Sequence, residues 1–273
     1  MKFKKILATV LSGVLALSVV GCGSKGDTSS NDDKKIVVGA TAVPHAEILE
    51  HIKPLLEKQG YELEVKTFDD YSLLNPAVDE GSLDANFFQH VPYLEESIEA
   101  KGYDLDYTVK VHIEPMALYS KKVSDISEIA DGAEIAVPND PSNEARALKL
   151  LADNGLLELN DSELPTVKDI TANPKNLKVT ELQAEQLPRV LEDVDIAVIN
   201  GNYALEAGLD VNKNAFYAED KNIESLKERR NILAVKEGNE NTQKIKDLTE
   251  ALTSKEVRDF INEKYKGAVV PVF

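Results

Sequence analysis

The stretch Glu134-Ile-Ala-Val-Pro-Asn-Asp-Pro-Ser-Asn-Glu-Ala-Arg146-Ala-Leu-Lys-Leu-Leu151 reads as a buried strand feeding straight into the N-terminus of a helix. Ile135 to Val137 are apolar, Pro138 ends the run, and Asp140 is a good N-cap. Pro141 takes the first helical position, where its missing N–H costs nothing. The first turn of such a helix presents unpaired N–H groups and the positive end of the helix dipole, a natural anion site. Asn143 and Arg146 lie three apart on one face beside it, which makes a carboxylate the simplest ligand. Leu148, Leu151 and Ala152 form the packing stripe and Gly155 supplies the stop, so Arg146 is expected off the core side. The ordinary alternative is an Arg146 that merely pairs with a neighbouring acid on the surface.

Outward from this stretch the same alternation recurs. Lys35-Ile-Val-Val-Gly39 is a buried strand, 44–58 has helical spacing ended by Gly60, and Tyr61 to Phe68 alternates with period two, which together make one βαβ unit. A loop at Asp69-Asp70-Tyr71 follows, then a short helix over 73–80, a strand at Leu83 to Asn86, and a helix opened by Pro92 and capped by Gly102. Pro115, set among apolar residues, suggests a crossing between lobes rather than a central strand. Beyond Arg146, strands are expected at 177–180 and 195–199 with a helix over 184–192 between them. Asn231 to Lys236 resembles Met116 to Tyr119 as a second crossing strand, and 241–264 closes the chain as amphipathic helix. Strands alternating with helices predict an α/β fold with mainly parallel, right-handed sheets.

The chain begins with Lys2, Lys4 and Lys5, an apolar run from Ile6 to Val20, and then Gly21-Cys22-Gly23, the layout of a bacterial secretory signal. About fifteen apolar residues are too few for a stable bilayer span. Val19-Val20-Gly21-Cys22 resembles a lipobox, so 1–21 is expected to be removed and Cys22 lipidated, palmitate included; a plain cleaved signal is the alternative. Cys22 is the only cysteine, which leaves no disulfide and no thiol for catalysis or metal binding. The tether expected over 22–33 is polar and reaches roughly 20 Å as a coil. A net charge of −17 argues against nucleic acid or an anionic bilayer face as partner.

In open α/β sheets, ligands sit beyond the carboxyl ends of strands. Tyr71, Phe88 and His90 are expected there from one lobe, and Asn143, Arg146 and Asn200 from the other. A guanidinium, amides and aromatic rings suit a zwitterion with an apolar side chain: bidentate Arg for the carboxylate, amide oxygens for the ammonium, rings around the side chain. Each residue has an ordinary alternative. Tyr71 and the phenylalanines suit a core, His90 a structural hydrogen bond, and Asn200 and Asn202 a turn around Gly201. Catalytic signatures are lacking: His112-Ile-Glu114 has half of a zinc-deaminase pattern without its cysteines, and there is no phosphate loop or serine elbow. A metal receptor, with His45, His90 and His112 meeting a carboxylate, is the rival reading, although no HxxH pair is present.

Leu83-Asp-Ala-Asn-Phe-Phe-Gln-His-Val-Pro-Tyr-Leu94, His112-Ile-Glu-Pro115, Tyr119-Ser-Lys-Lys122, Pro138 to Leu148 and Val198-Ile-Asn-Gly-Asn-Tyr-Ala204 together resemble the methionine-binding lipoproteins of ABC importers, over 36–273. The resemblance implies a two-lobed, periplasmic-binding-protein-like (type II) fold with two interlobe crossings, the lobes being 34–118 with 231–273, and 119–230. It implies a monomeric, non-enzymatic receptor without cofactor or resident metal, facing the extracytoplasmic side and delivering L-methionine to importer membrane subunits. Tyr71, Phe88 and His90 are placed around the thioether, Arg146 on the carboxylate, and Asn143 and Asn200 at the polar end. Ala117 stands where relatives often have Gly. A methionine derivative or short methionine peptide is the alternative cargo.

Overall fold

The structure is a computed structural model that describes residues 34–220 and 226–273; the expected signal, Cys22 and the tether lie outside the described residues. In chain order the elements are β1 (Lys35–Ala40), α1 (Glu47–Lys58), β2 (Glu62–Thr67), α2 (Leu74–Asp79), β3 (Ala85–His90), α3 (Val91–Lys101), β4 (Leu105–Ile113) and β5 (Ala117–Tyr119). There follow β6 (Glu134–Pro138), α4 (Pro141–Asp153), β7 (Glu158–Leu159), β8 (Ile170–Ala172), β9 (Lys178–Leu182), β10 (Ile196–Ile199), α5 (Gly201–Glu206) and β11 (Ala215–Ala218). The chain closes with β12 (Asn231–Lys236), α6 (Gln243–Leu252), α7 (Lys255–Tyr265) and β13 (Val270–Pro271).

Two sheets carry the fold, one of order β13-β4-β12-β3-β1-β2 and the other β11-β5-β10-β6-β9, with β7-β8 as a small hairpin beside the second. Parallel pairing holds at the centre of each, β1 with β2 and β3 in the first and β6 with β9 and β10 in the second. The strands next to the lobe connections run antiparallel: β12 lies between β3 and β4, and β5 between β10 and β11. Thus β5 and β12, expected as a matched pair of crossing strands, each belong to one sheet. The chain crosses between the sheets at 114–116 and again between Ala218 and Asn231. Pro115, which cannot donate to a ladder, sits in the first crossing as its chemistry requires.

Helix α4 starts where its sequence says it should. Asp140 Oδ1 accepts from Asn143 N at 3.0 Å, Pro141 opens the helix, and Gly155 beyond its end has φ +70, a left-handed conformation that glycine adopts without strain. Leu148 and Leu151 are fully buried in one cluster with Ile135, Val137, Ile196 and Val198, each such side chain worth about 1.5–3 kcal/mol. Two local expectations change. The helix expected over 184–192 is a 3₁₀ segment, Ala184–Val190, with Pro188 inside it removing a backbone donor. Phe88 and His90, expected on a loop after a strand, are the last residues of β3 itself, whose six residues are all buried because β1 and β12 flank it. No helix among the described residues is long and apolar enough to cross a membrane.

Candidate functional site

All six ligand-site residues expected from the sequence line one cavity between the sheets: Tyr71, Phe88 and His90 on the first side, Asn143, Arg146 and Asn200 on the second. Tyr71 opens a short 3₁₀ turn after β2, capped by Asp70, while Asn200 is the N-cap of α5 at the carboxyl end of β10. Tyr71, Phe88, Tyr93 and Tyr203 form an aromatic wall, with Tyr71 to Phe88 at 5.3 Å and Tyr71 to Tyr203 at 4.8 Å between ring centroids. Tyr71 Oη donates to Asn202 Oδ1 at 2.5 Å and Tyr203 Oη donates to the Asp69 carbonyl, so the wall joins the two sides.

The amides form an ordered chain anchored by a carboxylate. Asn143 Nδ2 donates to both oxygens of Asp140, at 2.9 and 3.0 Å, which turns its Oδ1 inward to accept from Asn200 Nδ2 at 2.9 Å. His90 Nδ1 accepts from Tyr93 N at 3.2 Å, so in the neutral ring Nε2 carries the proton and donates to Asn143 Oδ1 at 3.1 Å. Burial, helped by the Arg146 and Arg229 charges, holds the His90 pKa well below its ordinary value, so the ring is neutral. Both its nitrogens serve the protein, and its carbon edge is what remains for an apolar neighbour. Asn200 Oδ1 and Asn202 Nδ2 are buried with no hydrogen-bond partner among the described residues, an acceptor and a donor on one wall.

Arg146 departs from expectation. It is 5 % exposed, and its Nε and Nη2 hold Glu219 at 2.8 and 2.5 Å while Nη2 also donates to the Glu114 carbonyl at 2.9 Å. Burial works against its charge, but Glu219 and Glu114 more than offset that and keep its pKa above the ordinary value. The bidentate side of the guanidinium therefore faces Glu219, and Nη1 takes no part in these contacts. Glu219 Oε2 accepts from Met116 N as well, at 2.8 Å, so one carboxylate ties the first crossing, the second crossing and α4 together.

Glu114, Tyr93, Gln89, Gly201, Asn202 and Asn231 also line the cavity and were not singled out from the sequence as ligand-site residues. A signal for Glu114 existed: it is a charge inside the otherwise apolar run from Ile113 to Tyr119. The metal-ligating set expected from His45, His90 and His112 forms only in part. His45 and His112 meet Glu114, their ligand atoms within 4.8 Å of one another, whereas His90 is committed to Asn143 and Tyr93.

The sequence profile described as NlpA lipoprotein matches residues 36–273. The methionine-binding lipoprotein MetQ of Bacillus subtilis is 41% identical over 278 residues, covering 98% of this chain and 99% of its own length. A nutrient binding protein from Burkholderia cenocepacia, solved bound to methionine, superposes with a TM-score of 0.83 at 42% identity, over 87% of this chain and 100% of its own. An ABC transporter periplasmic substrate-binding protein from Coxiella burnetii gives 0.82 at 41% identity, over 87% and 100% of the two chains.

Proposed function

Because the chain belongs to the NlpA lipoprotein family, we propose that it is a substrate-binding receptor, not an enzyme, that captures methionine and delivers it to an ABC importer. The observation that carries the reading is the cavity wall: a guanidinium, two amides with unsatisfied atoms and three aromatic rings converge on one space between the sheets. A donor pair, Arg146 and Asn202 Nδ2, suits a carboxylate. Tyr71, Phe88 and Tyr93 suit a thioether, since sulfur beside aromatic rings gains about 0.3–1.5 kcal/mol beyond the burial of the chain. Asn143 orients Asn200 and His90, and His90 offers its carbon edge.

The two lobes, with their first boundary at 114–116 rather than at 118/119 because Ala117 and Leu118 pair in the second sheet, close over the ligand by bending at the two crossings. Lipid on Cys22 holds the protein, as a monomer, at the outer face of the cell membrane. Thermal-shift titration of ligand-stripped protein with L-methionine, D-methionine, methionine sulfoxide, methionine dipeptides and divalent metals tests the cargo. L-Methionine is expected to raise the melting point, and leucine at least about tenfold less well, or about 1.4 kcal/mol. A melting point indifferent to methionine but raised by zinc or manganese would overturn the reading in favour of the His45, His112 and Glu114 donors. A larger response to a dipeptide would keep the receptor and change its cargo.

A further inference from the structure

We propose that Tyr203 is a latch: a positioning residue behind the ligand cavity whose hydroxyl bolts the second lobe to the first and so sets how long a captured ligand stays. The inference rests on the lobe closure read above. Asp69 lies in the loop after β2 of the first sheet, and Tyr203 lies in α5, which follows β10 of the second. Tyr203 Oη donates to the Asp69 carbonyl, so a side chain of one lobe holds the backbone of the other. The ring adds a second contact across the same seam, its centroid 4.8 Å from that of Tyr71 and its plane inclined by 31°. Tyr203 is 4 % exposed, yet it is not among the residues that line the cavity and meets it only through Tyr71, which does. Its outer side faces a groove that Asp69 lines from the first lobe and Glu185, Arg189 and Glu206 from the second.

The seat of α5 explains why this residue can act so. Its first residue, Gly201, is pressed against the first crossing, where a Cβ would stand 2.7 Å from Glu114 Cβ, and the helix packs on the 42–46 segment of the first lobe. The helix therefore starts at the hinge, and Tyr203 in its first turn carries a hydroxyl across to Asp69. A buried phenol needs a hydrogen-bond partner, and here the partner belongs to the other lobe, so the bond exists only while the lobes are together. A bond made only in the closed form stabilises the occupied complex without helping the open form to capture ligand, and its effect falls on release rather than association. His90 with Asn143 and Tyr71 with Asn202 also bridge the lobes, at 3.1 and 2.5 Å, but all four line the cavity, and changing any of them changes the ligand's surroundings too. Tyr203 supplies the bridge without the ligand contact.

Tyr203→Phe keeps the ring and deletes the bolt. Release of radiolabelled L-methionine into an excess of unlabelled ligand is expected to be about two- to tenfold faster than in wild type, the worth of one neutral hydrogen bond, with the association rate within about twofold. Affinities for methionine and leucine, by calorimetry, are expected to weaken by the same factor, since the hydroxyl touches neither. Tyr61→Phe is the control: Tyr61 Oη donates to Asp247 Oδ2 at 2.7 Å inside the first lobe, so its loss is expected to leave release at the wild-type rate. Circular dichroism checks both folds. Nitration by tetranitromethane gives a second reading on wild type itself, with methionine expected to protect Tyr203 but not Tyr61. Wild-type release from Tyr203→Phe, equal acceleration in Tyr61→Phe, a changed methionine-to-leucine ratio, or Tyr203 nitrated alike with and without methionine would each overturn the latch. Methionine bound by wild type without compaction in small-angle scattering would instead sink the closure reading, and the latch with it.

Discussion

Replacing Arg146 with alanine separates the job the structure gives this side chain, holding Glu219, from the one proposed for it, binding the ligand's carboxylate. The guanidinium holds Glu219 through two nitrogens, at 2.8 and 2.5 Å, and the Glu114 carbonyl at 2.9 Å. Removing one member of a buried ion pair typically costs about 3–5 kcal/mol, because the other charge is left without a partner. Glu219 keeps the Met116 N–H and is 13% exposed, so water can enter beside it, which puts the expected loss at the lower end, about 3 kcal/mol. For a chain of this size that corresponds to a melting-point drop of roughly 6–12 °C. Binding suffers separately: a desolvated charge partner removed from a ligand carboxylate costs about 2–5 kcal/mol, or roughly 30-fold to several thousandfold in Kd. Urea unfolding without ligand reads the first effect, and calorimetry with methionine on the folded variant reads the second. Arg146→Lys rescues neither well, since one ammonium cannot hold Glu219, reach the carbonyl and still serve the cavity. A variant with the wild-type urea midpoint would refute the buried-pair argument, and one with the wild-type Kd would refute the ligand role.

Gly201→Ala forces a Cβ to 2.7 Å from Glu114 Cβ, an overpacking that costs about 1–3 kcal/mol and is expected to weaken methionine binding more than Gly208→Ala, whose effect is confined to backbone strain at φ +76; equal Kd values for the two would count against the close approach. His45 is held down to about 4 from 6.5 by burial, so the unfolded chain takes up its proton in that window before the folded protein does. Stability should therefore fall as pH drops from 6.5 toward 4, by about 3 kcal/mol from His45 alone, while the raised Glu114 works the opposite way; urea midpoints at pH 7 and 5 should differ less in His45→Gln than in wild type. Cys22→Ala is expected to release the protein from the membrane fraction, and mass spectrometry finding an unmodified N-terminus other than Cys22 in cell-derived protein would exclude the anchor. Saturating methionine is expected to lower the radius of gyration of the stripped protein, and unchanged small-angle scattering would rule out closure at the crossings.

The order of strands and helices was readable from the chain because it depends on local chemistry. Asp140 and Pro141 announce α4, and the spacing of Ile48, Leu49, Ile52 and Leu56 announces the buried face of α1, all four being fully buried. Tyr71, Phe88, His90, Asn143, Arg146 and Asn200 were legible as candidates because turn ends and strand ends place such residues in loop clusters, and they share one cavity. Their partners were not legible. Glu219 reaches Arg146 across 73 positions, His45 reaches Asn231 across 186, and Glu114 meets His45 from the first crossing. No periodicity encodes such pairings, since hydrogen bonds between distant segments depend on how two sheets face each other. Packing decided that the paired nitrogens of Arg146 serve Glu219, that both nitrogens of His90 are already occupied, and that a buried carboxylate stands beside the amides. Sequence alone determined which groups were available to a ligand; tertiary structure decided which of their atoms were left unspent, because burial makes every donor and acceptor seek a partner first.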